Sequence, residues 1–150
     1  MNRFLVDTNI LVYAHDPRDP AKGRQARDVL TRLRLNGNAA LSVQCLTEFY
    51  WTVTRKLPEP LLPEETSAQI DHFTHIFQVL DLTPAIVLDA SRGAGSYQLS
   101  IWDALIWATA KLNQVPFVLS EDFRDGFLLE GVRFLNPFAK TFDGRLLEIV

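Results

Sequence analysis

The chain has 150 residues, 47% hydrophobic and 22% charged, which suits one domain with its own core and excludes a disordered tail. Its single cysteine, Cys45, excludes an intrachain disulfide and a cysteine-based zinc site, and His15, His72 and His75 form no two-histidine metal motif. No leader-like segment opens the chain and no apolar run approaches about 18 residues, so a cytoplasmic protein without a membrane partner is expected.

The elements alternate in type. Phe4–Val6 reads as a strand, Thr8–Ala14 as a short helix ended by the Asp16-Pro17 and Asp19-Pro20 turns, and Ala21–Leu35 as a second helix. That helix carries Ala26, Val29, Leu30 and Leu33 on one stripe and stops at Asn36-Gly37-Asn38. Ala39–Leu41 is a second strand. Ser42 is the expected N-cap of a third helix reaching about Leu57, closed by Pro58 and Pro60. Pro63-Glu64-Glu65 opens a fourth helix to His75, with proline at the first helical position and acids in the first turn. Phe77–Leu80 is a third strand, and Thr83-Pro84 starts a fifth helix that Gly93 and Gly95 end near Ser91. A sixth, apolar on several sides, runs from Ile101 or Trp102 to Asn113. Phe117–Leu119 and Val132–Leu135 complete a set of five short, apolar strands. Such strands between helices imply an α/β fold: a doubly wound parallel sheet covered on both faces, with ligands outside the strands' carboxyl ends.

Acids stand at those ends. Phe4-Leu5-Val6 runs into Asp7-Thr8-Asn9, and Phe117-Val118-Leu119 runs into Ser120-Glu121-Asp122. Each acid also has a structural reading. Asp7 caps the helix that follows it; Ser100-Ile101-Trp102-Asp103 has the form of a capping box; Asp122 is a loop acid with Glu121 competing for its role. Glu48 lies off the Leu46-Phe49-Tyr50-Val53-Leu57 stripe of the third helix, a position that suits solvent as well as a cleft. Charge is unevenly spread: between Arg18 and Arg34 six basic residues face two acidic, a local +4 that leaves −7 for the rest of a chain of net charge −3. That contrast reads either as a solvated helix face or as a basic flank beside an acidic pocket that acts on a polyanion.

The ordered set Asp7-Thr8-Asn9, Ser42 with Glu48, Trp102-Asp103-Ala104 and Ser120-Glu121-Asp122-Phe123, ending in Asn136-Pro137-Phe138, resembles the PIN-domain ribonucleases, above all the VapC-type toxins of toxin–antitoxin modules. The resemblance spans nearly the whole chain. It implies a three-layer α/β/α sandwich with a five-stranded parallel sheet of order 3-2-1-4-5. It also implies that Asp7, Glu48, Asp103 and Asp122 are the catalytic, Mg²⁺- or Mn²⁺-binding acids, supported by Thr8, Asn9 and Ser120. Hard divalent cations take oxygen ligands and assist phosphodiester hydrolysis without histidine or a covalent nucleophile, so an all-acid site is chemically consistent. An RNA substrate, an antitoxin partner and a homodimer follow from the same resemblance, with Arg18, Arg24 and Arg27 as candidate phosphate contacts.

The large side chains Tyr50, Trp51, Leu57, Leu61, Leu62, Ile70, Phe73 and Phe77 are expected to be mostly core, any excess offering a docking surface for antitoxin or second subunit. Two other readings stand beside the nuclease. A PIN-like module could bind RNA or a partner without cutting. A phosphotransfer domain also uses a strand-end aspartate with Mg²⁺, but it would be expected to carry a second aspartate where this chain has Asn9.

Overall fold

The computed structural model describes residues 2–148. The elements follow the order β1 (Phe4–Val6), α1 (Thr8–Tyr13), α2 (Pro20–Asn36), β2 (Ala39–Ser42), α3 (Val43–Arg55), α4 (Pro63–Ile76), β3 (Gln78–Leu80), α5 (Pro84–Tyr97), α6 (Ile101–Leu112), β4 (Phe117–Leu119), β5 (Leu128–Leu129) and β6 (Val132–Leu135), closed by a 3₁₀ turn at Gly144–Glu148.

Among the described residues the sheet has the order β3-β2-β1-β4-β6-β5, parallel except for the β5–β6 pair. Its five parallel strands follow the expected order 3-2-1-4-5. The sixth was not expected. Leu129 and Val132 pair across the two-residue turn Glu130-Gly131, both with positive φ (45° and 86°), the geometry that closes a tight hairpin.

β1 is wholly buried, and alternate residues of the central strands point to opposite layers. Leu5, Val118 and Phe134 pack with α5 and α6, around Trp107 and Ile86. Phe4, Val6, Leu41, Leu119 and Leu135 pack with helices α1 to α4, around Phe49, Val53 and Phe73. Seven consecutive residues of α6, Ala104–Ala110, are buried.

The caps follow sequence chemistry: Asp19, Ser42, Thr83 and Ser100 each accept a bond from the backbone of their helix, and Gly37 closes α2 at φ 65°. One boundary is corrected. α5 continues six residues past Ser91 to Tyr97, because Gly93 lies against the indole of Trp107; a Cβ there would fall 2.2 Å from Cζ3. Close helix packing outweighs the ~1 kcal/mol propensity cost of a helical glycine. Tyr50, Trp51 and Leu62 stay exposed, whereas Leu57, Phe73 and Phe77 are core.

Candidate active site at the carboxyl edge of the sheet

The chain leaves β1 toward β2 and β3 on one side and reaches β4 and β6 on the other, so the strand order reverses between β1 and β4. A crevice opens outside the strand ends at such a reversal. Asp7 and Ser120 follow β1 and β4 directly, and the Asp7 amide donates to the Leu119 carbonyl at 2.9 Å.

Asp7 is both a cap and a site residue. Its Oδ1 accepts from the Thr8 amide (2.7 Å) and its Oδ2 from the Ser120 hydroxyl (2.7 Å), at 5% exposure. Burial pushes its carboxyl up to about 7; the bonds from Ser120 and Thr8 oppose the shift, and the charges of Asp122 and Glu48 add to it. Fully buried Ser120 is the hub. Its oxygen donates to Asp7 and accepts from Asn9 Nδ2 (3.3 Å) and the Asp122 amide (3.1 Å). Asn9 Nδ2 also reaches Asp122 Oδ2 at 3.3 Å.

Glu48 faces this cleft rather than solvent. Its Oε1 accepts from Gln44 Nε2 (2.9 Å) and Thr8 Oγ1 (3.4 Å). Burial raises its carboxyl, these two bonds lower it, and the charges of Asp103 and Asp122 raise it further. Asp103 donates its amide to the Ser100 hydroxyl (3.1 Å), the backbone half of the expected capping box, while its half-buried carboxylate lines the cleft. Burial and the Asp122 charge raise its carboxyl. Asp122 is raised by burial and by Glu121, and lowered by Asn9.

The two neighbouring acids are thereby distinguished. Glu121 is held by Lys22 Nζ (2.9 Å) and the Tyr13 hydroxyl (2.5 Å), whereas Asp122 bonds only within the acidic cluster.

The cleft, of about 290 Å³, is lined by Asp7, Thr8, Asn9, Glu48, Asp103 and Asp122 among others, so residues from the ends of β1 and β4 and from α1, α3 and α6 meet there. Of the basic candidates Arg18 lines it, in a two-pronged ion pair with Asp16 (2.7 Å to Oδ2). Arg24 does not line it, and Arg27 lines a separate pocket between α2 and α4. Gln44 was missed from sequence. It bridges Glu48 to the Trp102 carbonyl (3.1 Å), and its buried Oε1 has no partner among the described residues. Its one sequence signal is the four-residue spacing to Glu48 on a helix.

Every charged donor here is an oxygen, the donor type that Mg²⁺ and Mn²⁺ take. Among the described residues no three His, Cys, Asp or Glu side chains close into a ligating group. Mg²⁺ commonly keeps several waters and binds only one or two carboxylates, so an open, like-charged set fits that ion better than a closed cage.

The alternating layers, the reversal at β1 and β4 and the acids outside it define a doubly wound α/β domain with an acidic cleft at its switch point. The PIN domain model matches residues 4–127, and the chain belongs to that family. Solved structures share the fold. A toxin–antitoxin complex from Klebsiella pneumoniae superposes at TM-score 0.66 with 20% identity, covering 89% of this chain and 97% of that one. DNA-bound VapBC from Salmonella typhimurium superposes at 0.65 with 19% identity over the same shares. The sarcin-ricin loop cleaving toxin VapC20 of Mycobacterium tuberculosis superposes at 0.61 with 13% identity, covering 77% of this chain and 86% of that one. No curated protein matches the chain.

Proposed function

We propose that the chain is a divalent-metal-dependent endoribonuclease and the toxin of a toxin–antitoxin pair. The observation that carries this reading is the convergence of Asp7, Glu48, Asp103 and Asp122, from four separate parts of the sequence, on one cleft at the sheet's reversal point. Burial raises all four carboxyls and the charges of neighbouring acids add to it, a cost that a bound cation relieves.

Asp7, Glu48, Asp103 and Asp122 are the residues that would hold Mg²⁺ or Mn²⁺. When bound, the metal supplies Lewis-acid polarisation of the phosphodiester and activation of water. The chain's own residues do the rest. Ser120 and Asn9 fix the orientations of Asp7 and Asp122, and Thr8 and Gln44 fix Glu48. Each carboxylate thus keeps a free lone pair directed by its neighbours. Hydrolysis leaves a 5′-phosphate and a 3′-hydroxyl.

The toxin role is supported by the structural relatives, among them a toxin–antitoxin complex, a DNA-bound VapBC and a sarcin-ricin loop cleaving toxin. An antitoxin and a second copy of the chain are the proposed partners, for which exposed Tyr50, Trp51 and Leu62 offer apolar surface. A cytoplasmic location belongs to the same proposal; among the described residues no helix is long and apolar enough to cross a membrane.

One second reading, a PIN module that binds RNA or a partner without cutting, is favoured by Asp7, which is 5% exposed and has both carboxylate oxygens already bonded within the protein. Cleavage of RNA by purified chain in Mg²⁺ or Mn²⁺, abolished by EDTA and by Asp7→Asn or Asp103→Asn, is the expected result. Parental cleavage rates in either variant, or in EDTA, overturn the assignment.

A further inference from the structure

Trp102 occupies the first turn of α6, next to Asp103, and lines the acidic cleft while remaining 62% exposed. Tryptophan is buried on average far more than this, and an indole left open inside a concave site is available to a ligand. The backbone beneath it is fixed on both sides: Gln44 holds the Trp102 carbonyl at 3.1 Å, and Ser100 caps the helix at the Asp103 amide. The ring is therefore presented by a rigid turn.

The charge of the lining leaves a role for such a ring. Asp7, Asp16, Glu48, Asp103, Glu121 and Asp122 face the cleft against Arg18, which Asp16 already pairs. A phosphodiester gains little attraction from those side chains beyond what a bound cation supplies, so other parts of the substrate have room to add affinity. Nucleobases are the uncharged part, and they stack on aromatic faces. A base is free to do so only when unpaired, because in a duplex it is already stacked between its neighbours.

We infer that Trp102 is a base-stacking platform of the cleft, seating an unpaired nucleobase beside the scissile phosphate. The inference rests on the nuclease reading for the phosphate's position, but its test is a binding measurement that does not require cleavage.

A short labelled oligoribonucleotide without self-complementarity, alone or annealed to its complement, is titrated with the full chain. Fluorescence anisotropy is read with Ca²⁺ in place of Mg²⁺ and strand integrity is checked on a gel. The parent is expected to bind the single strand at least about tenfold tighter than the duplex. Trp102→Ala and Trp102→Leu should each weaken that binding by about 5- to 150-fold, the worth of one stacked base. Trp102→Phe keeps an aromatic face and should stay within a few-fold of the parent. The leucine variant keeps apolar bulk, so loss in Leu with retention in Phe assigns the effect to the ring face.

Parental affinity in the Ala or Leu variant overturns the inference, as does equal affinity for duplex. So does a Trp102→Ala change in oligomeric mass by light scattering with RNA affinity unaltered, which would make the ring a contact between copies of the chain. Absence of any RNA binding by the parent overturns both this inference and the nuclease reading. Trp102-dependent binding of single strands without Mg²⁺-dependent cleavage sustains the platform and overturns only the nuclease.

Discussion

Asp7 ends a strand and begins a helix, and its carboxylate is held by one bond from each side of that junction. The position has a consequence for stability as well as chemistry. Its folded carboxyl is raised from the ordinary 3.8 to about 7, so the folded state holds this proton more tightly than the unfolded chain does. The resulting stabilisation is fully present below about pH 4 and is lost as pH rises through 7. Metal-free protein should therefore lose melting temperature between pH 5 and pH 8, and Asp7→Asn should flatten that slope by removing the buried charge. Equal slopes for parent and variant in EDTA-containing thermal melts would refute this. A second prediction separates the adjacent acids. Asp122→Asn should lower kcat/KM by about 10- to 100-fold, the scale at which loss of a metal-shell partner is felt. Glu121→Gln, whose parent carboxylate is engaged by Lys22 and Tyr13, should cost only a few-fold. Steady-state cleavage rates check the order.

At the scale of elements, α5 and α6 meet through Gly93 and Trp107. Gly93→Ala places a Cβ 2.2 Å from the indole, and the overpacking cost of about 1–3 kcal/mol outweighs the helix-propensity gain of about 1 kcal/mol. Gly95, two residues on in the same helix, has open space at its Cβ; Gly95→Ala should leave stability unchanged or raise it by up to about 1 kcal/mol. The urea midpoint should therefore fall for Gly93→Ala and stay level or rise for Gly95→Ala. The same helix explains what the sequence hid. Both glycines read as helix breakers, and only the partner, 14 positions beyond Gly93 in the chain, shows that one of them is a packing notch. The β5–β6 hairpin escaped notice for a related reason: its strand Leu128–Leu129 is two residues long, too short to show an alternation, and Glu130 is an unusual residue at positive φ. Strands flanked by clear turn chemistry, such as Phe4–Val6 before Asp7-Thr8-Asn9, were legible because burial on both faces leaves an unbroken apolar run.

For the whole molecule, the site was readable in outline and not in detail. Asp7 and Asp122 could be placed from strand ends alone, since a doubly wound sheet puts those ends together. Glu48 could not, because helical periodicity sets it off the core stripe without saying whether that side meets water or a cleft; the answer comes from Thr8 and Gln44, one of them 40 positions away. If the cleft takes a divalent ion, binding is linked to folding of the whole domain. Mg²⁺ or Mn²⁺ should raise the melting temperature at pH 7.5 with ion concentration, and Asp7→Asn together with Asp103→Asn should abolish the rise. Differential scanning calorimetry measures it; an unchanged dependence in the double variant would place the ion elsewhere.

The bond from Ser120 to Asp7 spans 113 positions, and β1 cannot complete its pairing until β4 exists. During synthesis the first acid leaves the ribosome long before the segment that orients it, and closing so long a loop is a late event in folding. A truncated or stalled chain that stops before Ser120 thus carries Asp7, Glu48 and Asp103 without the element that draws them together. The cleft is therefore assembled only once β4 and Ser120, in the last quarter of the polypeptide, have been made, a delay written into strand order.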